Sequence, residues 1–200
     1  MNPGAESVGP DLGLTTILAA ISLIAVWIPL WRGMRLCLQA RSATSIFPEA
    51  DLQRVMNSGT AAAPKGFAEL FVRTFASSLN ENSGDAVPTA FVMDASRQYA
   101  MNEYESNYAK LISMYANLLP PIGFIGTTSG MLILFLSMHL ANASLELGAL
   151  AVALTSSIFA LIGFACLEGL KIRIYGRLLC CLDAATELAR RESIKAAAAS

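Results

Sequence analysis

The charged residues of this chain leave two long gaps, and the gaps decide what it can fold into. No charged side chain lies between Lys110 and Glu146, and none lies between Glu146 and Glu168. A third apolar run, residues 14–31, also lacks Asp, Glu, Lys and Arg. As a helix that run covers roughly 27 Å, close to a hydrocarbon core of roughly 30 Å. Charged residues make up 14% of the chain and the mean hydropathy is +0.52. Soluble domains run nearer a quarter charged. These features predict an all-α integral membrane protein with three transmembrane helices and long cytoplasmic helical extensions. A net charge of −1 argues against a nucleic-acid binder, which would show a basic face.

Basic residues orient the spans. The tail 1–13 holds Glu6 and Asp11 but no Lys or Arg, so it lacks the basic region of a signal peptide. The first run, 14–31, is therefore read as a retained span. Trp27 and Trp31 mark its inner end as an aromatic belt would, and Pro29 is expected to kink it there. Arg32, Arg35 and Arg41 follow, Lys110 abuts the second span at 111–139, and Lys171, Arg173 and Arg177 follow the third at 147–168. The turn 140–146 has no basic residue. All basic clusters thus fall on one side. The N-terminus is expected outside, and the segment 32–110 and the C-terminal helix and tail 169–200 inside, in the cytoplasm.

The segment 32–110 has helical patterning of its own. Phe67, Leu70, Phe71, Thr74, Phe75 and Ser78 recur at helical spacing after Pro64 and before a loop spanning 80–88. The stripe has too few basic residues for a membrane-surface helix, so it is expected to pack on other cytoplasmic helices. A second helix, with Asp94 as its N-cap, carries Met101, Tyr104, Tyr108, Leu111 and Tyr115. No Gly or Pro interrupts it before Pro120, which predicts one long helix running into the membrane. The third span is likewise expected to run on, with Ile174, Leu178, Cys181, Leu182, Ala185 and Leu188 on one face. Residues 196–200 have no anchor and are expected to fray.

Two spans carry small and hydroxyl residues where lipid-facing helices prefer Leu and Ile. Gly123, Gly126 and Gly130 lie within about two turns, and Gly126 with Gly130 makes a G-x-x-x-G pair suited to close helix contact. Between them, Thr127 either bonds the carbonyl one turn back or offers its hydroxyl to an ion path. In the third span Ala149, Ala153, Ser156, Ala160 and Gly163 form a small-residue seam at four–three spacing. Thr155, Ser156 and Ser157 are consecutive and fan over about 200°. One of them is expected to face a cavity or neighbouring helix, and another to be back-bonded. No Asp, Glu, Lys or Arg lies inside a span, so the chain alone offers hydroxyls but no proton carrier. Glu146 and His139 are placed at the outer mouth as ordinary interfacial residues.

The run Pro120, Gly123, Gly126, Thr127, Gly130 resembles the penultimate helix of the MotA/TolQ/ExbB proton-channel family. Ala153, Leu154 and Ser157, followed by Leu161, resemble the A-L-x-x-[TS] pattern of that family's last helix. Three spans with the N-terminus outside look like its TolQ/ExbB branch. The resemblance implies a ring-forming homo-oligomer, of five copies, around a single-span partner of the TolR/ExbD/MotB kind carrying a membrane aspartate. Ion flow past that aspartate, of protons or Na⁺, would drive work in the envelope of a bacterial inner membrane. Thr127 matches the family's pore-facing threonine and Ser157 the threonine of its last helix. Thr155 and Ser156 are second choices for the ion path. Gly123, Gly126, Gly130, Ala153, Ala160 and Gly163 are assigned to helix packing. The chain departs from the pattern at Val152, where the family has a glutamate, near Cys166, where it has a proline, and in doubling the proline at Pro120 and Pro121. Any pore carboxylate would then come from the partner alone.

Other functions lack their residues. There is no G-x-S-x-G, P-loop lysine or H-E-x-x-H, and the sole histidine, His139, leaves no triad. Cys37, Cys166, Cys180 and Cys181 lack metal-ligand spacing and are expected as free thiols. No enzyme activity, metal or cofactor is expected. The rival is a non-conducting structural membrane scaffold for a partner complex.

Overall fold

The structure, a computed structural model, describes residues 10–45, 53–55, 64, 66–81, 87–140 and 143–199. Expectations for Glu6, for loop residues 82–86, and for the side chains of Asp11, His139 and residues 196–200 lie outside the described residues. The described chain is almost wholly helical, with no strand. Helix α1 spans Pro10–Ala43, α2 Phe67–Glu81, α3 Thr89–Tyr104, α4 Lys110–Leu140 and α5 Ala143–Ala199. A π-helical turn, Glu105–Ala109, joins α3 to α4. Three stretches are long and apolar enough to cross a membrane: Ala20–Ala43, Thr89–Leu136 and Glu146–Lys195. Helix α1 continues through Pro29, and α4 through Pro120 and Pro121.

The chain forms two compact units. Unit 1 comprises Met1–Arg35 and Ile112–Gly169, and unit 2 comprises Leu36–Leu111 and Leu170–Ser200. Unit 1 buries a seam on α4 at Ile112, Ala116, Leu119, Gly123, Gly126, Gly130 and Ile133. Steps alternating four and three residues keep one stripe facing its neighbours, as in coiled coils. On α5 the matching seam is Ala149, Ala153, Ser156, Ala160, Gly163 and Leu167. The two helices meet in antiparallel register. A Cβ built on Gly123 would lie 2.7 Å from Ala160 Cβ, and one on Gly130 would lie 2.5 Å from Ala153 Cβ and 2.8 Å from the Ala149 carbonyl. Gly33 of α1 lies against Leu167, and Gly163 faces Leu119 and Leu30.

Unit 2 is packed differently. Its buried side chains include Phe67, Phe71, Val72, Phe75, Tyr104, Leu178 and Leu182. Phe67 stands edge-on to Tyr104 at 5.6 Å, and Tyr104 lies 6.3 Å from Tyr175. Arg97 of α3 pairs with Asp183 of α5 at 2.5 Å. Thr44 closes the end of α1 by donating to the Ala40 carbonyl at 3.0 Å.

Three local expectations are corrected. Asp94 is not an N-cap: α3 starts at Thr89, directly after Pro88, which is extended at φ −60° and ψ 131°. A proline at that point sets the chain direction without a side-chain cap, so the helix begins before Asp94 is reached. On α2 the buried face is Phe67, Ala68, Phe71, Val72 and Phe75, with Leu70, Thr74 and Ser78 only half-buried. Thr74 donates to the Leu70 carbonyl at 2.8 Å, which satisfies it without burial. On α3 the buried stripe is Val92, Ser96, Ala100 and Tyr104, and Leu111 is exposed. Steps of four overrun the 3.6-residue period, and the π turn that follows absorbs an extra residue.

Candidate functional site

The polar centre of unit 1 is a hydroxyl pair between α1 and α5. Ser22 Oγ donates to Ser156 Oγ at 2.7 Å. Ser156 is 5% exposed and sits where α4 offers Gly126. A Cβ on Gly126 would collide with Ser156 Oγ and lie 2.5 Å from Ser156 Cβ. Glycine at 126 therefore makes room for the serine, and the serine's hydroxyl is spent across helices rather than on its own backbone.

The neighbours of Ser156 diverge as their spacing requires. Thr155 is exposed in the chain, and Ser157 is half-buried. The Cα of Ser157 lies 3.4 Å from the Cβ position of Gly123. Thr127 is half-buried, and its hydroxyl donates to the Phe124 carbonyl at 2.7 Å. Thr128 and Ser129 also bond carbonyls within the preceding turn. The structure thus joins Ser156 to Gly126 and Ser22, Gly123 to Ala160 and Ser157, and Gly130 to Ala153. Thr127's hydrogen bond goes to its own helix, not to Thr155, Ser156 or Ser157.

Ser22 is the functional candidate that sequence reasoning missed. Its signal was available: a serine within the apolar run 14–31, one helical turn before Val26, which is buried at 4% exposure.

Two half-open grooves border this pair. One of about 200 Å³ is lined by Ser22, Val26, Val152, Thr155, Ser156 and Phe159. The other, of about 120 Å³, is lined by Ser22, Ile122, Gly126, Ser129 and Val152 among others. Val152, at the position where the resembled family has a glutamate, lines both. Hydroxyls can solvate an ion or orient water, but they do not change charge near neutral pH. Among the described residues no group of three His, Cys, Asp or Glu could hold a metal ion.

Outside this centre, unit 2 holds the shifted titratable groups. Burial pushes the Cys37 and Cys181 thiols up, and a backbone hydrogen bond from Ala68 partly offsets this for Cys181. Cys166 and Cys180 are exposed free thiols. Among the described residues the buried Tyr104 hydroxyl has no hydrogen-bond partner. Burial first, then the Cys37 and Tyr175 groups, push it up to about 12.

No protein-family model, curated protein or solved structure matches the chain.

Proposed function

We propose that the chain is the ring-forming subunit of an ion-driven motor in a bacterial inner membrane. Copies of it, five in the resembled family, surround the membrane helix of a TolR/ExbD-like partner whose aspartate carries the ion. In this reading unit 1 lies in the bilayer, unit 2 lies in the cytoplasm, and the N-terminus is outside. Proton flow along Thr127, Ser157 and the hydroxyls beside them would be coupled to movement of the partner.

The observation that carries this reading is the pairing of α4 with α5 through the motif residues themselves. Gly123, Gly126 and Gly130 meet Ala160, Ser156 and Ala153. Close approach leaves Thr127 and Ser157 half-buried on the flanks of the contact. The large apolar side chains on the outside of unit 1, Phe124 at 69% and Phe135 at 64% exposure among them, suit contact with lipid or with further copies. No Asp, Glu, Lys, Arg or His lies within the second gap or the first run, so the reading requires a partner carboxylate.

The test is ion flux in membrane vesicles holding the chain with its co-purifying partner. Thr127→Val is expected to bring flux to background while the complex keeps its mass. Undiminished flux in that variant would remove the proposal.

The scaffold reading has its own support: Thr127 is satisfied by Phe124 and Ser156 by Ser22. It expects Thr127→Val and Ser157→Ala to be harmless and Gly126→Leu to be damaging.

A further inference from the structure

We propose that the corner formed by Ser22, Thr155 and Ser156 holds water, so that each subunit carries a hydrated gap between α1 and α5. The inference rests on the reading of unit 1 as membrane-embedded. It adds a residue of the first helix, Ser22, to the polar path, and it places that path inside a single subunit.

The hydroxyls of unit 1 fall into two kinds. On α4, Thr127, Thr128 and Ser129 each donate to a carbonyl three or four residues back. That is the cheap solution for a hydroxyl on a helix facing hydrocarbon. Ser22 takes a different route and gives its proton to Ser156 on another helix. As donor, Ser22 keeps acceptor lone pairs for a further partner. Leaving such capacity unmet beside hydrocarbon is costly, whereas a water molecule meets it.

The space fits that occupant. A water needs only about 10–15 Å³ of probe volume and two to four polar partners. The groove of about 200 Å³ exceeds that volume, and Ser22, Thr155 and Ser156 supply three hydroxyls at its edge. Ser22 and Val152 also line the groove of about 120 Å³ beside Gly126 and Ser129. The two spaces therefore share a wall made of one hydroxyl and one small apolar side chain. A lipid acyl chain lying on the apolar remainder of the lining, Val26 and Phe159, is the alternative outcome that the experiment distinguishes.

Cysteine accessibility is the measurement. Cys37, Cys166, Cys180 and Cys181 are replaced by alanine, and the background is required to keep its native mass. Ser22→Cys, Val152→Cys and Thr155→Cys are then labelled in membrane vesicles with a cationic, membrane-impermeant methanethiosulfonate. Leu154→Cys and Ile158→Cys serve as controls on the same helix. Reaction requires the thiolate, and hydrocarbon suppresses an ionised group by on the order of 100-fold. The three groove positions are expected to react faster than the controls by about that factor. Val152→Cys removes neither hydroxyl of the Ser22–Ser156 pair and keeps the test valid should Ser22→Cys disturb that bond. Silence at all three positions would mean an apolar filling and overturn the inference. Reaction at Thr155→Cys alone would put water outside the groove and also overturn it, while the motor reading would stand. Fast reaction at all five positions would take unit 1 out of the bilayer and overturn the reading beneath it.

Discussion

Units 1 and 2 share three helices of one chain, yet they are packed on opposite principles. In unit 1 the contact between α4 and α5 is made by Gly123, Gly126, Gly130, Ala153, Ser156 and Ala160. In unit 2 the buried side chains include Phe67, Phe71 and Phe75 of α2, Tyr104 of α3, and Leu178 and Leu182 of α5. Large side chains stabilise a contact by leaving water, each contributing about 1.5–3 kcal/mol. Lipid tails offer no such gain, so helices there associate by close backbone approach and by hydrogen bonds between hydroxyls. The small-residue contact between α4 and α5 is of the kind that helices make in lipid, in line with the membrane position proposed for unit 1.

The largest expected effect breaks this contrast on its small-residue side. Gly126→Leu drives a side chain into Ser156 Oγ and Cβ, next to the α5 backbone, where no rotamer change relieves the clash. We expect loss beyond about 3 kcal/mol, since overpacking at a backbone contact exceeds the usual range. The readout is recovery of folded, full-mass complex from membranes. Normal recovery would mean that α4 and α5 do not approach as described. Next in size is Phe71→Ala, which empties a fully buried position in unit 2. It is expected to cost about 3–5 kcal/mol in denaturant unfolding and to leave ion flux per assembled complex unchanged. A flux defect with normal stability would blur the separation of roles.

The smallest effect sharpens the comparison, because it concerns a buried polar atom of unit 2. Ser156 in unit 1 has Ser22, whereas among the described residues the Tyr104 hydroxyl has no hydrogen-bond partner. Tyr104→Phe is expected to be neutral or to stabilise by up to about 1 kcal/mol. Its alkaline profile is also diagnostic. The Tyr104 value is raised from 10.0 to about 12, so the unfolded chain loses that proton first. Stability from this group is complete below pH 10 and declines as pH rises toward about 12. Tyr104→Phe should remove that part of the decline, measured as the wild-type minus variant difference in unfolding midpoint across the series. Identical profiles would mean that the hydroxyl finds water in the folded state.

Much of the architecture was legible because it rests on residue type and spacing. The gaps around Glu146 mark the apolar helices, and the four–three run from Ala149 to Gly163 on α5 is buried as read. What escaped depends on relations between helices. Consecutive Thr155, Ser156 and Ser157 must fan out, but only the register against Gly126 makes Ser156 the inward one. Ser22 looked like one serine in an apolar run until α1 met α5. The π turn at Glu105–Ala109 is a change of hydrogen-bond register and has no residue signature, so the stripe through Tyr104 and Tyr108, which pack on Phe67, continues at buried Ile112 rather than at exposed Leu111. The start of α3 was misplaced at Asp94 because capping preference outweighed the proline before Thr89. The polar side chains assigned to the ion path remain a matter of assembly, since Thr155 is exposed in the single chain.

Assembly is therefore where the central claim is most open to test. The measurement is the native mass and composition of the complex, extracted gently from its own membranes. The motor reading expects a ring of identical chains holding fewer copies of a single-span protein with an aspartate in its membrane helix. A monomer, a dimer, or a partner without a membrane carboxylate would leave the hydroxyl path without a carrier and contradict it.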